Sequence, residues 1–278
     1  MKIKFLAADS LGVRSMATFV ETSDTTILID PAAALGPRRY GLPPHKLEKE
    51  ALEYSWQKIS EASEESEVII VTHYHYDHHS RKRNVEIYKN KLLLIKDPNS
   101  FINRSQRWRA YAFLESIKEL PSEIAIADGK ELFIGNTQVV FSRPVFHGEP
   151  KSKLGFVLEV FISDSNKSFI FSSDVEGLLD ESQIDFILRM KADIVYLDGP
   201  PTYLGSKKMD QLLHISQTNI ERVVRLVRPQ FLIIDHHLTR DLNFKAYFEG
   251  FNNFITAAEF MGQNPNLLEA RRKELWNE

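Results

Sequence analysis

The most informative absence in this sequence is that of cysteine. It excludes disulfide bridges, thiolate metal sites and a cysteine nucleophile. Long apolar runs are missing as well. None approaches the roughly 20 residues that a membrane-spanning helix needs, and the run at the N terminus is too short for a secretion signal. We therefore expect a cytoplasmic protein with no membrane partner, whose metal sites would use nitrogen and oxygen ligands.

A large excess of charge of one sign is also lacking. The chain carries 35 Lys and Arg against 38 Asp and Glu, which gives a formal net charge of -3. Such a balanced surface does not favour the coating of a polyanion, although it permits a local basic groove. The 278 residues are 43% hydrophobic, enough to bury a large core in one domain or at most two.

What the chain does contain is an alternation of short apolar runs, turn residues and helical patterns. The apolar runs predict strands over residues 3–7, 16–21, 26–30, 68–71, 123–127, 139–141, 156–161, 169–172, 194–197 and 231–234. Helical spacing is present over residues 47–59, 99–120, 181–190 and 217–227, with two further stretches at the end. This mixture predicts a layered α/β fold in which helices cover sheets.

Histidines are concentrated where predicted strands end. Of the 9 histidines, seven fall in three short segments, each just after an apolar run: residues 73–79, residue 147 and residues 236–237. An isolated histidine is usually an ordinary core or surface residue. Four imidazoles and a carboxylate crowded together in residues 73–79 are poor core material and indicate a bound cation. Strand ends converge on one edge of a sheet, so the three segments could meet there.

The segment H-Y-H-Y-D-H-H begins at His73. Side chains alternate along an extended chain, so His73 and His75 lie on the same side and can grip one ion. A turn after Tyr76 would swing Asp77 and His78 towards a second position a few ångströms away. Nitrogen and oxygen ligands of this kind suit Zn²⁺, Fe or Mn²⁺.

The motif H-x-H-x-D-H at residues 73–78 resembles the hallmark of the metallo-β-lactamase superfamily. The resemblance extends in order to His147 in P-V-F-H-G, Asp174 in F-I-F-S-S-D and the late segment D-H-H-L-T-R. Other stretches look like a mainly archaeal branch of predicted metal-dependent hydrolases. The resemblance implies a four-layer αββα sandwich of two mixed β-sheets flanked by helices, with residues 1–278 forming a single metallo-β-lactamase-like domain.

The resemblance also implies ligands for two divalent metal ions, zinc by preference, with iron or manganese as alternatives. For the first ion these are His73, His75 and His147. For the second ion they are Asp77, His78 and a late histidine, with Asp174 bridging both ions. We prefer His237 as the late ligand because family members often read small polar residue, histidine, apolar residue, Ser or Thr. His236 is the alternative.

The implied activity is that of a metal-dependent hydrolase. A hydroxide bridged between the two ions would attack an ester, lactone, amide or phosphoester, with Asp77 as a metal ligand and as the catalytic proton acceptor. One alternative is a nuclease or phosphodiesterase acting on nucleic acid, which the net charge does not favour. Another is an iron-dependent oxidoreductase on the same fold. The expected partner is a small-molecule or phosphoester substrate, and the sequence does not indicate an oligomeric state.

The roles of residues around the predicted ligands are harder to predict from the sequence. Arg14, Arg38, Arg39 and Arg240 lie in loops beside predicted strand ends, and a guanidinium suits phosphate or carboxylate, but such arginines are often only solvated charges. The same ambiguity holds for three other side chains. We expect Asp30 either to hydrogen-bond the metal-binding loop or to start a turn, and Asp198 to lie at the rim. His79 would either donate a hydrogen bond that supports the ligands or, by slight preference, be exposed.

Overall fold

The first sheet is built from the N-terminal half of the chain. The structure, a computed structural model, describes residues 1–249 and 254–278. Six strands form this sheet in the order of the sequence: β1 (Lys2–Phe5), β2 (Thr18–Glu21), β3 (Thr26–Ile29), β4 (Val68–Val71), β5 (Leu92–Ile95) and β6 (Glu123–Ile126). Strands β1 to β3 are antiparallel, and β3 to β6 are parallel. The sheet is therefore mixed.

The second half of the chain supplies nine more strands. They are β7 (Glu131–Ile134), β8 (Thr137–Phe141), β9 (Val145–Phe146), β10 (Phe156–Val157), β11 (Val160–Ser163), β12 (Ser168–Phe171), β13 (Ile194–Asp198), β14 (Phe231–Asp235) and β15 (Phe254–Ile255). Seven of them form the second sheet in the order β15-β14-β13-β12-β11-β8-β7, and β9 pairs with β10 separately. Strands β12 to β15 are parallel and the others antiparallel, so this sheet is mixed too.

Four long helices lie against the outer faces of the two sheets, and two short helices follow near the end of the chain. The structure describes α1 (Lys46–Glu65), α2 (Arg104–Ile117), α3 (Glu181–Met190), α4 (Lys207–Val227), α5 (Ala257–Phe260) and α6 (Arg272–Leu275). Side-chain caps fix where the long helices begin, as at Asp180 before α3 and Ser206 before α4. Among the described residues, no helix is both long enough and apolar enough to cross a membrane.

Three apolar clusters define four layers. The central cluster lies between the sheets and combines Ile29 and Ile70 of the first with Phe141, Phe171 and Ile233 of the second. A second cluster packs α1 and α2 on the first sheet, and a third packs α3 and α4 on the second. This arrangement is the predicted αββα sandwich of two mixed sheets, so the expected fold is confirmed.

Strand β4 illustrates why an unbroken apolar run was informative. All four of its residues are buried. Val68 and Ile70 face the core between the sheets, whereas Ile69 and Val71 face the helices. Alternate side chains point to opposite faces, so a strand covered on both faces needs apolar residues throughout.

Some elements differ from the sequence prediction. Strands β5, β7, β9 and β15 were not predicted, and α4 begins at Lys207 rather than near residue 217. The single strand predicted over residues 156–161 is divided into β10 and β11. The division arises because β10 pairs with β9 whereas β11 pairs with β8, and between them the Leu158 N–H donates to the Thr72 carbonyl oxygen at 3.2 Å.

The topology directs many strand ends to one edge of the sandwich. Strands β3 and β4 run parallel in the first sheet, and β12, β13 and β14 run parallel in the second. Strand β1 has the same direction as β3, because both are antiparallel to β2. The segments that follow these strands contain the predicted metal ligands except His147, which follows β9, so the fold brings most of the ligands to a common edge.

Candidate metal centre

The histidine-rich segment leaves β4 and turns at once. The His78 N–H donates to the His75 carbonyl oxygen at 3.1 Å, which closes a tight turn. The turn places the His78 ring 4.1 Å from the His73 ring, while His73 and His75 have ring centroids 4.7 Å apart. The local sequence therefore produces the expected pair of imidazoles and redirects the residues that follow it.

The first ligand group joins this segment to the second sheet. Ligand atoms of His73, His75, His147 and Asp174 all lie within 4.8 Å of one another. Asp174 Oδ2 is 3.2 Å from His147 Nε2 and 3.4 Å from His73 Nε2. Three imidazoles and a carboxylate oxygen thus surround one position, although His147 and Asp174 come from the distant segments after β9 and β12.

The second ligand group lies beside the first. Ligand atoms of Asp77, His78 and His236 also lie within 4.8 Å of one another. The other Asp174 oxygen, Oδ1, is 3.1 Å from His78 Nε2 and 3.5 Å from His236 Nε2. One carboxylate therefore faces both groups, with one oxygen directed to each.

The two late histidines have different neighbours. His236 Nε2 is 3.9 Å from Asp77 Oδ2, whereas His237 shares a group with Asp174 and His236 but not with Asp77. The Nδ1 atom of His237 lies 2.9 Å from Asp198 Oδ1, and its backbone N–H donates to the same oxygen. His236 is thus the late histidine placed among the second group.

Buried carboxylates orient the second group. Asp30 Oδ2 is 2.8 Å from His78 Nδ1, and Asp30 also accepts hydrogen bonds from the Thr72 N–H and hydroxyl. Asp9 Oδ2 is 2.7 Å from His236 Nδ1. A carboxylate at Nδ1 fixes the tautomer that presents Nε2 as a ligand. This observation supports the hydrogen-bonding interpretation of Asp30.

The first group is oriented more weakly. His73 Nδ1 lies 3.3 Å from the hydroxyl oxygens of both Thr72 and Ser173. Ser173, like Asp30 and His236, has a positive φ in the left-handed region that non-glycine residues seldom adopt. Such backbone strain persists only where the surrounding structure imposes it, and it is common at functional sites.

The two groups differ in protonation. Burial and the neighbouring His78 lower the pKa of His73 to about 4. For His78, burial opposes charge, but the Asp174 and Asp30 carboxylates outweigh it and raise the pKa to about 10. Burial favours the neutral form of Asp174 too, yet the surrounding imidazoles, His78 first, hold its pKa well below the usual value. The carboxylate is therefore ionised at neutral pH.

The donor set fits divalent metal ions. Several ligand atoms are buried without a hydrogen-bond partner in the described residues: His73 Nε2, His78 Nε2, His147 Nε2 and Asp174 Oδ1. Buried polar atoms are normally satisfied, because an unpaired one costs about 1–3 kcal/mol. Ions placed among these atoms would satisfy them, and imidazole with carboxylate suits zinc, iron and manganese.

Two predictions about neighbouring residues were wrong. Asp198 does not lie at a rim but is fully buried beneath His237, where the chain ends β13 and turns. His79 is not exposed. Its side chain is 1% accessible, with Nδ1 at 2.9 Å from the His75 carbonyl oxygen and its ring against Phe113. Tertiary packing against α2 covers this ring, which the local sequence could not indicate.

Two acidic residues beside the ligands were not predicted from the sequence. One is Asp9, which pairs with His236. The other is Glu176, whose Oε1 lies 3.6 Å from His147 Nδ1. A signal for Asp9 did exist, because it follows the first predicted strand as Asp30 follows the third. Glu176 gave no comparable signal.

Comparisons with known proteins identify relatives of this chain. No family model matches the chain. The UPF0282 protein of Metallosphaera sedula is 46% identical over 288 residues, spanning 99% of this chain and 93% of the relative. The UPF0282 protein of Korarchaeum cryptofilum is 46% identical over 285 residues, spanning 99% and 94%. The similarity to these archaeal proteins thus extends over nearly the whole chain.

Solved structures resemble the fold at low identity. A possible metal-dependent hydrolase from Veillonella parvula matches with a TM-score of 0.58 and 13% identity, covering 88% of this chain and 94% of that one. An isothiocyanate hydrolase from Delia radicum gut bacteria matches with a TM-score of 0.56, 14% identity and the same coverage. The metallo-β-lactamase fold protein YhfI from Bacillus subtilis gives 0.51 and 12%, covering 87% and 88%. The likeness concerns the fold, which is that of metallo-β-lactamases.

Proposed function

The chain belongs to the UPF0282 family and has the metallo-β-lactamase fold, and from this premise we propose that it is a dinuclear metal-dependent hydrolase. The observation that carries the proposal is the position of Asp174 between two ligand groups, with one oxygen directed to each. A single structural ion would not need a carboxylate that faces two adjacent sets of ligands. The fully buried imidazole nitrogens without partners support the same conclusion.

We assign the ligands as follows. The first ion would be held by His73, His75 and His147, the second by Asp77, His78 and His236, with Asp174 shared. Choosing His236 revises the preference for His237 that the sequence pattern gave. The reason is geometric, since His236 Nε2 approaches both Asp77 and Asp174 while Asp9 supports its Nδ1. We propose zinc as the native metal.

Bound divalent ions would lower the pKa of a shared water molecule and stabilise the negative charge that develops on the substrate. The protein contributes position and proton transfer. Asp77 is only partly buried, and the nearby His78 and His236 outweigh the effect of burial and lower its pKa, so it is a carboxylate at neutral pH. It can therefore accept a hydrogen bond from the attacking water as well as bind metal. The electrophile would be an ester, lactone, amide or phosphoester.

The test joins metal content to turnover. Protein purified without added metal would be analysed by mass spectrometry, then assayed with chromogenic phosphodiesters, lactones and thioesters. We expect two ions per chain and at least one substrate class hydrolysed, with turnover lost in Asp77→Asn. Asp185→Asn, on the exposed side of α3, is the matched control. Absence of bound metal, or equal turnover in the two variants, would contradict the proposal. Iron as the only bound metal would instead favour the alternative of an iron-dependent oxidoreductase.

A second candidate function is cleavage of phosphodiesters in nucleic acid. One observation favours it: an exposed surface of aromatic rings and guanidinium groups adjoins the histidine-rich segment. Arg81 lies 5.0 Å from the Trp108 ring centroid, Arg109 lies 5.1 Å from that of Tyr76, and Trp108 is 59% exposed. Such surfaces can stack bases and attract phosphates. Salt-dependent RNA binding that Trp108→Ala weakens would support this function, whereas no binding at low salt would remove it.

A further inference from the structure

The four arginines near the site have different environments. Arg14 donates from Nε and Nη2 to the two carboxylate oxygens of Glu269, which neutralises its charge. Arg38 is exposed. Arg39 and Arg240 lie next to each other, because the Arg39 Nη2 donates to the Arg240 carbonyl oxygen at 3.1 Å. Of these four arginines, Arg39 and Arg240 are therefore the candidates for contact with a substrate.

Arg240 reaches into the second ligand group. Its side chain is 3% exposed, and its Nε donates to Asp9 Oδ1 at 2.7 Å. Its Nη2 lies 3.2 Å from His236 Nε2 and 3.9 Å from Asp77 Oδ2. The end of the guanidinium thus borders the atoms that we assign to the second ion.

The carboxylates beside Arg240 are shared with the second ligand group. Asp9 is shared, since Oδ1 accepts from Arg240 while Oδ2 faces His236. A metal ion at the second group would add further positive charge beside a guanidinium. Asp77 offsets part of this charge, and both cations would attract an anionic group of the substrate. The arrangement is therefore compatible with a substrate that brings negative charge.

Arg39 adds a second guanidinium group beside Arg240. Its guanidinium stacks between the rings of Tyr40, at 4.7 Å, and Tyr203, at 4.5 Å. In the described part of the chain its hydrogen bonds go to neutral oxygens, and its buried Nε has no partner. Tyr203 is also close to Arg240. The short helical segments that contain these two residues, Thr202–Leu204 and Leu238–Arg240, pack against each other. The three side chains are contiguous.

We propose that Arg39, Tyr203 and Arg240 form a subsite for an anionic oxygen group of the substrate, a phosphate or a carboxylate, beside the second ligand group. Planar guanidinium groups match the oxygens of both anions. The Tyr203 hydroxyl adds a donor. This inference rests on the proposed hydrolase, because it assigns a substrate class to the same site.

The experiment is calorimetric titration of the metal-loaded protein with inorganic phosphate and, separately, with acetate at constant ionic strength. We expect Arg39→Gln to weaken binding of the preferred anion about tenfold, the effect of losing one charge-assisted hydrogen bond. Arg38→Gln, the exposed neighbour, should bind like the wild type. Arg240→Lys, which keeps the charge but loses the planar fork, should also bind about tenfold more weakly. Metal content is measured for every variant.

Two results would contradict the subsite. In the first, Arg39→Gln and Arg240→Lys, each with two ions bound, would both bind each anion as tightly as the wild type. In the second, Arg38→Gln would weaken binding as much as Arg39→Gln. The second result would reduce the effect to general surface charge. Failure of the hydrolase proposal looks different, since the wild type would then contain no metal. The same comparison of Arg39→Gln with Arg38→Gln, made on the metal-free chain, would still decide whether the subsite binds anions.

Discussion

The two ligand groups are built from similar residues but are supported differently. In the first, the His73 imidazole has only the hydroxyls of Thr72 and Ser173 near its Nδ1, at 3.3 Å. In the second, carboxylates lie closer to the imidazoles: Asp30 is 2.8 Å from His78, and Asp9 is 2.7 Å from His236. Each imidazole of the second group is thus paired with its own buried acid.

The difference teaches what a buried acid does at such a site. Without an adjacent carboxylate at Nδ1, burial dominates and lowers the pKa of His73 to about 4, so its ring is neutral before any metal binds. With the carboxylates of Asp174 and Asp30, the pKa of His78 rises to about 10. The second group must therefore release protons to bind metal, but it holds its ligands in a fixed orientation.

The largest effect is expected from replacing Asp174, the residue that the two ligand groups share. Asp174→Ala should abolish the pairing of ions and lower turnover by more than about 100-fold, since residues that merely support metal ligands already cost 10- to 100-fold. Metal analysis by mass spectrometry, with circular dichroism to verify folding, provides the measurement. Two tightly bound ions in this variant would refute the bridging role.

Next in size is the choice between the late histidines. His236→Ala should leave about one ion per chain and lower turnover about 100-fold, because it removes a ligand of the second group. His237→Ala is the matched control and should retain two ions, since its Nδ1 is directed to Asp198. The reverse pattern would restore His237 as the ligand.

The supporting residues should show a smaller contrast. Asp30→Asn keeps the shape but can turn an amide N–H towards His78, which would favour the wrong tautomer. We expect metal affinity of the second group to fall about 10- to 100-fold. Ser173→Ala removes only neutral contacts, to His73 and to the Thr72 hydroxyl, and should cost less than about tenfold. Competition with a chelator measures both constants. Equal losses would mean that carboxylate support has no special value here.

Glu159 can be compared with Asp9 and Asp30, because it is also a buried acid but has no hydrogen-bond partner in the described residues. Both of its carboxylate oxygens lack hydrogen bonds in the described residues. Burial raises its pKa well above the usual value, and Arg189 opposes this only in part. A folded-state pKa above the unfolded one means that unfolding releases a proton, so stability falls as the pH rises from about 4.5 towards the folded value.

Glu159→Gln removes this titration. At pH 8 the variant should be more stable by about 1 to 3 kcal/mol, and near pH 4 the difference should disappear. Urea unfolding at the two pH values measures it. A variant that is destabilised at pH 8, or a difference that grows as the pH falls, would show that the carboxylate has a partner in solution.

Much of the fold could be predicted from local patterns. The apolar run of Val68–Val71 is a strand with both faces covered, and Glu181–Met190 is a helix with the predicted bounds. Periodicity failed where tertiary contacts decided the outcome. The break between β10 and β11 depends on a change of strand partner. The start of α4, by contrast, has Met209, Leu212 and Leu213 at helical spacing, a signal that the prediction did not use.

The sequence by itself determined the residue types of the site and the placement of His73 beside His75. The spacing in H-Y-H-Y-D-H places His73 and His75 together because backbone geometry acts over a few residues. Only the tertiary structure decided which late histidine joins Asp77, that Asp9 supports it, and that Arg240 borders the same group. Asp9 and His236 are separated by more than 200 residues, and only the face-to-face packing of the two sheets, with these strand ends at a common edge, brings such side chains within hydrogen-bond distance.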